Sequence, residues 1–366
     1  MKNPLCSLPC FSVSKKKYSQ LYQRSQLPEG LCRHFSLAQI KAATDNFNED
    51  SIIGRGDYGT AYKGTTNDGT IVVLKRWQSE SGSYLLREMQ NEVRFLCQLR
   101  HPHLASLIGI CEEGNEAIPV YEYMSGGALS DRLYGQGYAP LLWKQRLQIC
   151  VGAARGLHYL HTGAKYALFH GHITSRNLLL NEELSCKITD FGLSKLGSFC
   201  MSKASKVRRE SKIKGIHGYM APEYAMHGEL TEKSDVFSFG VVLFEVLFGR
   251  PEYDSSLPEE KRYLFAMAME SIIEGTIYHA IDPQLKGRIA PECLNKYLEI
   301  AFSCVHDKGS ERPEMGEVEV TLELALELQD RADAEMEAIN PCGQYMHDEA
   351  PISIDAETIK ISSLLI

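Results

Sequence analysis

The residues best suited to chemistry here are a glycine turn, Gly54-Arg55-Gly56-Asp57-Tyr58-Gly59, a lysine, Lys75, and a carboxylate, Glu92. Glycines let backbone N–H groups approach a phosphate where a Cβ would obstruct them. A bare G-x-G-x-x-G is a weak signal, shared by plain glycine hairpins and by dinucleotide-binding turns. Strand-like Ile52-Ile53 precede this one and Ala61-Tyr62 follow it, and a strand-turn-strand setting disfavours the dinucleotide reading, which needs a helix after the turn. Lys75 ends the run Val72-Val73-Leu74, and Glu92 lies beside Met89 and Val93 on the inward stripe of the next helix. Together they can form an ion pair that orients a nucleotide's phosphates. Glu88, one turn earlier, competes as an ordinary solvated carboxylate or as an alternative partner for Lys75.

The elements that must position these residues follow from periodicity. Glycine turns alternating with β-branched runs, such as Gly69-Thr70-Ile71-Val72-Val73-Leu74, predict a small antiparallel sheet. Leu86, Met89, Val93 and Leu96 recur at helical spacing and predict one amphipathic helix packed on it. Beyond Met124 the pattern turns mainly helical. Leu147, Val151 and Ala154 mark a helix ending near His161, and Asp235 to Leu247 is apolar on nearly every face, as a central buried helix would be.

The 366 residues, 44% of them hydrophobic, can bury a sizeable core. A net charge of -8 argues against general nucleic-acid binding. The 11 cysteines show neither a CxxC pair nor zinc spacing, and no secretory leader precedes them, so reduced thiols in a cytoplasmic protein are expected. The richest apolar stretch, Val236 to Phe248, contains Glu245 and is too short to span a membrane. Residues 1–34 read as a flexible basic arm with a Lys15-Lys16-Lys17 run. Residues 331–366 read as a flexible acidic tail, where Asp333, Glu335, Glu337, Asp348, Glu349, Asp355 and Glu357 outweigh Arg331 and Lys360.

Three further stretches carry a family resemblance: Leu99-Arg100-His101-Pro102-His103-Leu104, Gly152-Ala153-Ala154-Arg155-Gly156-Leu157-His158-Tyr159-Leu160-His161, and Leu230-Thr231-Glu232-Lys233-Ser234-Asp235. With the glycine turn, Lys75 and Asp190-Phe191-Gly192, they resemble the plant receptor-like protein kinases, in the FERONIA-like and Pto-like group of the IRAK-type kinases. The chain as given has neither an ectodomain nor a spanning helix, and so is similar to receptor-like cytoplasmic kinases, which relay signals from membrane receptors. The resemblance implies an α+β, bilobal protein-kinase fold over residues 35–330. Its N-lobe, about 35–124, would hold the antiparallel sheet and one helix, and its C-lobe, about 125–330, would be mainly helical.

Carried over residue by residue, the family's ATP site would comprise Ile53, Gly54, Gly56, Gly59, Ala61, Val73, Lys75 and Glu92. The hinge would run through Tyr121, Glu122, Tyr123 and Met124, with Leu179 as the adenine floor, and Asn177 and Asp190 would hold Mg2+. The family's usual Val after the glycine turn is Ala61 and its usual Ala before the Lys is Val73, an exchange that conserves volume. Pro119, in the strand entering the hinge, lacks a ladder N–H, so a bulge or altered hinge is expected there. Structural roles fall to His170, to Glu223 of Ala221-Pro222-Glu223 paired with Arg312, and to Asp235 tied to the catalytic-loop backbone.

Departures cluster in one loop. His170-Gly171-His172-Ile173-Thr174 puts His172 where the family has its catalytic Asp and Thr174 where it has the Lys that neutralises the transferring phosphoryl group. Ile216 takes the place of a Thr or Ser bonded to both, and Gly171 that of the Arg that anchors a phosphorylated activation segment. A positioned base contributes roughly 10² to 10⁴ in rate, and the Lys adds charge stabilisation. The resemblance therefore implies a nucleotide-binding pseudokinase, a scaffold or allosteric partner of receptor kinases or other signalling proteins. A weak serine/threonine kinase using His172 as base is the second reading, and a nucleotide-free interaction module is the third. Between Lys195 and Lys214, seven basic residues stand against Glu210 alone, interspersed with Ser198, Ser202, Ser205 and Ser211. This segment docks an acidic or phosphorylated partner, is phosphorylated by an active kinase, or is a solvated loop. Acylation of Cys6 and Cys10 beside the lysine run would give peripheral membrane association, while Lys2 excludes N-myristoylation.

Overall fold

Alternation of buried and exposed residues in the first strands fixes which way the sheet faces. The computed structural model describes residues 32–56, 59–77, 83–114, 116–197, 208–209, 212–339 and 346–347. Strands β1 (Arg33–His34), β2 (Ile52–Gly56), β3 (Gly59–Thr65), β4 (Ile71–Arg76), β5 (Leu107–Glu113) and β6 (Glu116–Glu122) form one sheet in the order β1-β5-β6-β4-β3-β2. Tyr62, Val72, Leu74, Ile118 and Val120 pack on one face with Phe35 and Ile40. Ile40 comes from helix α1 (Leu37–Ala43), which opens on a capping box between Ser36 and Gln39.

One correction concerns the expected sheet. The ladder of β1 with β5 is parallel, pairing Arg33 with Gly109 and His34 with Ile110, so these residues belong to the sheet and not to the arm. Strand β6 includes Pro119, which is buried.

The described residues divide into two units: one holds those up to Leu86 together with Ile108–Val120, the other Arg87–Leu107 and those from Tyr121 onward. The amphipathic helix α2 (Ser83–Leu96) therefore sits mostly with the helical unit, where the expected division at residue 124 had placed it with the sheet. Its side chains explain this: Asn91 and Glu88 bond to the segment that follows Asp190.

In the second unit, β7 (Gly127–Ala128), β8 (Leu178–Leu180) and β9 (Cys186–Ile188) form a small sheet in the order β9-β8-β7. The helices are α3 (Leu129–Tyr134), α4 (Trp143–His158), α5 (Pro222–His227), α6 (Glu232–Phe248), α7 (Leu264–Ile273), α8 (Ile277–Ala280), α9 (Pro291–Cys304) and α10 (Met315–Ile339). Helix α4 passes into a π-helical turn over Tyr159–Gly163. Nearly every residue of α6 is buried, as its unbroken apolar run predicted.

Helix α10 continues to Ile339, past the Asp330 at which the folded body was expected to end. Gln329 is buried, accepting from Ala290 N at 2.9 Å and donating to Asp333 Oδ1 at 2.8 Å, and Asp330 pairs with Lys144. Beyond 330, Asp333 is thus a half-buried acceptor, while Glu335 and Glu337 are exposed on the same helix.

Candidate active site

Asp235, in the first turn of α6, organises the loop that carries the candidate catalytic residues. Thr231 caps that helix by accepting from Lys233 N. The buried Asp235 carboxylate accepts from the backbone N–H groups of His170 and Gly171, each at 2.7 Å, and meets His161 Nε2 at 2.9 Å. Charge-assisted bonds of this kind are about twice as strong as neutral ones, so loop 170–171 is fixed to the central helix. His170 Nδ1 accepts from His172 N at 3.2 Å, which leaves Nε2–H to donate to the Thr189 carbonyl at 3.1 Å. Burial pushes the His170 imidazole down to about 4, so it stays neutral and structural.

The next residue along presents a ring to Asp190. His172 Nδ1 lies 2.9 Å from Asp190 Oδ2. Asn177 Nδ2 donates to the His172 carbonyl at 2.9 Å and stands 3.4 Å from Asp190 Oδ2. Asp190 holds φ 69°, a left-handed conformation uncommon for a non-glycine residue. His172, Asn177 and Asp190, singled out separately in the sequence, are brought together.

The positions of the other departures are equally definite. Thr174 is buried, and its Oγ1 has no hydrogen-bond partner among the described residues. Ile216 is 43% exposed and lines a pocket with Gly171, His172 and Tyr219. Gly171 takes φ +73°, which glycine adopts without the penalty an L side chain would incur. Below the loop, Ser175 Oγ is 3.0 Å from Tyr134 Oη, which donates to Glu245 Oε1 at 3.1 Å.

Helix α2 meets this segment through residues sequence reasoning weighed differently. Glu88 is buried and ion-paired with Lys214, so it is not a solvated carboxylate. Glu92 is 1% exposed. Asn91, which the sequence reading missed, donates through Nδ2 to the carbonyls of Gly192 at 2.9 Å and Ser194 at 2.8 Å, with Phe191 O at 3.3 Å. Its signal was a polar residue three positions after Glu88, on the same helical face.

The hinge residues Tyr121 and Met124 are buried, and Glu122 receives Lys187 Nζ on both carboxylate oxygens at 2.8 Å and Ser106 N at 2.6 Å. Lys187 faces Leu179 in the register of β8 and β9. In the sheet unit, Ala61 is opposite Lys75 and Lys63 opposite Val73, so Ala61, Val73 and Lys75 share one face, and the exchanged Ala and Val are neighbours on it. Gly56 pairs with Gly59 in the antiparallel ladder of β2 with β3, and Asp57 and Tyr58 between them lie outside the described residues. A Cβ at Gly59 would stand 2.3 Å from the Arg76 carbonyl, while one at Gly54 would meet nothing. Strand approach therefore requires Gly59, while at Gly54 a side chain would meet open space. Ile53 is exposed. Lys75 Nζ lies 5.1 Å from the Trp77 ring centroid.

Glu223 grips Arg312 bidentately at 2.8 and 2.9 Å, and the guanidinium also reaches the carbonyls of His306, Lys233 and Asp307. A sequence model of the family described as protein tyrosine and serine/threonine kinase matches residues 47–322. The chain belongs to that kinase family. Its sheet unit and mainly helical unit are the α+β kinase fold that the resemblance implied. Among curated proteins of Arabidopsis thaliana, it is 47% identical to the receptor-like protein kinase FERONIA over 89% of this chain and 36% of that protein. It is 49% identical to the receptor-like protein kinase ANXUR2 over 84% of this chain and 35% of that protein. The receptor-like protein kinase HERK 1 is 45% identical over 86% of this chain and 37% of its own length. The chain thus spans little more than a third of the length of these relatives.

Kinases of this family use ATP with Mg2+. The donor set here suits a divalent cation: Asp190 offers a carboxylate, with the Asn177 amide beside it. Among the described residues no group of three or more His, Cys, Asp or Glu side chains is placed to hold a metal, so a cation at Asp190 needs ligand oxygens from a nucleotide or water. No helix among them is long and apolar enough to cross a membrane. Cys6, Cys10, the lysine run and the serines at 198, 202, 205 and 211 lie outside the described residues.

Proposed function

We propose that this kinase-family chain is a nucleotide-binding pseudokinase that works as a scaffold or allosteric partner of receptor kinases. One observation carries the reading: at the position of the proton acceptor stands an imidazole whose Nδ1 is 2.9 Å from Asp190, with the buried Thr174 hydroxyl where an ammonium belongs. A neutral hydroxyl cannot offset the charge of a transferring phosphoryl group, and the imidazole, engaged with Asp190 through Nδ1, has only Nε2 to take a proton and does not replace that lost charge. The glycine turn with Lys75 for phosphates, and Asn177 with Asp190 for a cation, support retention of ATP. A receptor-signalling role is supported by the relatives named receptor-like protein kinases.

The test is a phosphotransfer assay alongside calorimetry with ATP and Mg2+ on one preparation. Binding is expected and is lost in Lys75→Ala and Asp190→Ala, while phosphotransfer falls to the level of Asp190→Ala. Ligand at 100 times its dissociation constant raises stability by about 2.7 kcal/mol, so a thermal shift reads the same event. Robust wild-type transfer abolished by His172→Ala would make the protein a working kinase with a histidine base. Absent binding at millimolar nucleotide would make it an interaction module only.

A further inference from the structure

The ring beside Asp190 bears on which cation that carboxylate holds. His172 Nδ1 stands 2.9 Å from Asp190 Oδ2, while Asn177 Nδ2 donates to the His172 carbonyl at 2.9 Å and stands 3.4 Å from the same Asp190 oxygen, so its amide oxygen points elsewhere. Adjacent ligands on an octahedral cation, with bonds of about 2.1 Å, lie about 3 Å apart. Nδ1 and Oδ2 are therefore spaced as neighbours in a single coordination shell. The backbone that carries the ring is anchored: the His172 N–H donates to His170 Nδ1, and the His170 N–H donates to Asp235.

We propose that His172 is itself a cation ligand, and that the site formed by His172 and Asp190 selects Mn2+ and Co2+ over Mg2+. Mg2+ is a hard ion that keeps oxygen ligands and water, whereas imidazole nitrogen suits the later first-row ions, whose affinity for a mixed N/O site rises from Mn2+ to Co2+. An imidazole at 172 supplies that nitrogen and withholds the negative charge that a second carboxylate would offer Mg2+. The alternative use of the same spacing is a hydrogen bond from Nδ1–H to Asp190, with His172 outside the shell. The inference rests on the nucleotide–cation reading only in placing a cation at Asp190.

Pulsed EPR on the full chain with Mn2+ alone, and with Mn2+ and ATP, decides between the two. A directly bound nitrogen coupled to Mn2+ is expected, altered by ¹⁵N-histidine labelling and lost in His172→Asp and His172→Gln. Thermal melts verify that both variants are folded. Carboxylates alone already favour Mn2+ somewhat, so calorimetry compares ratios: the Mn2+ to Mg2+ affinity ratio should fall by about tenfold in either variant, and the Co2+ to Mg2+ ratio by more. Bound Mn2+ without nitrogen coupling, ratios unchanged by the variants, or failure of Mn2+ to bind in both arms would overturn the proposal. ATP binding with Mg2+ but no nitrogen coupling would sink this inference and leave nucleotide binding standing. Nitrogen-coupled Mn2+ without ATP binding would do the reverse.

Discussion

His172 and Thr174 face opposite electrostatic problems, which makes their repair interdependent. Thr174 is 2% exposed, so Thr174→Lys alone buries an ammonium with no carboxylate at 172 to meet it. His172→Asp alone adds a second carboxylate near Asp190 and leaves the phosphoryl charge uncompensated, while Ile216 still presents a methyl surface where a hydroxyl belongs. Groups that act as a unit are grossly non-additive. The triple change His172→Asp, Thr174→Lys, Ile216→Thr should raise phosphotransfer far above the product of the three single gains, with nucleotide affinity for Mg2+ no weaker. Thr174→Lys alone should lower Tm, and His172→Asp in the same chain should restore part of the loss. Initial rates and melts across all seven variants, with Asp190→Ala in the triple background as control, would check both; additive gains would show that the sites are independent. These departures were legible in the sequence because the family's motif fixes each position. The contact between His172 and Asp190 was not, since residue order says nothing of where a ring turns.

At the scale of elements, helix α2 is pinned to the segment after Asp190 by one amide and one ion pair. Asn91 Nδ2 serves the carbonyls of Gly192 and Ser194, and Glu88 holds Lys214. Asn91→Ala removes the donor and leaves partly buried carbonyls short of a partner, a loss of about 1 kcal/mol or somewhat more. Amide exchange in residues 191–196 should speed up in that variant while exchange in α6 stays slow; uniform acceleration would mean that Asn91 supports the whole unit and not this segment. Periodicity revealed α2 itself, since Met89, Val93 and Leu96 line its buried side. It did not reveal α1, seven residues long, where the capping box of Ser36 and Gln39 was the readable signal. Nor did it reveal the end of α10, because a charged helix face and a charged coil have similar composition.

Across the whole molecule, stability should depend on two carboxylates that no ligand needs. Glu245 lies wholly inside α6 beneath the candidate loop; burial pushes it up to about 7, against hydrogen bonds from Tyr219, Ser175 and Tyr134 that pull it down. Glu252 is pushed up to about 8, by burial first and then by the charge of Glu245. Folding therefore favours the protonated form of both. Their contribution is complete below the ordinary value of 4.5 and is withdrawn as pH rises through about 7 and 8. Glutamine keeps the shape and the neutral state at every pH. Melting temperature should accordingly fall from about pH 5 to about pH 9 more steeply in the wild type than in Glu252→Gln, and least in the variant that also carries Glu245→Gln. The wild type and the single variant should nearly coincide at the acid end and separate at the alkaline end. Parallel curves would mean that water or a shared proton relieves the pair, and that the buried axis of the helical unit is not the source of its pH sensitivity.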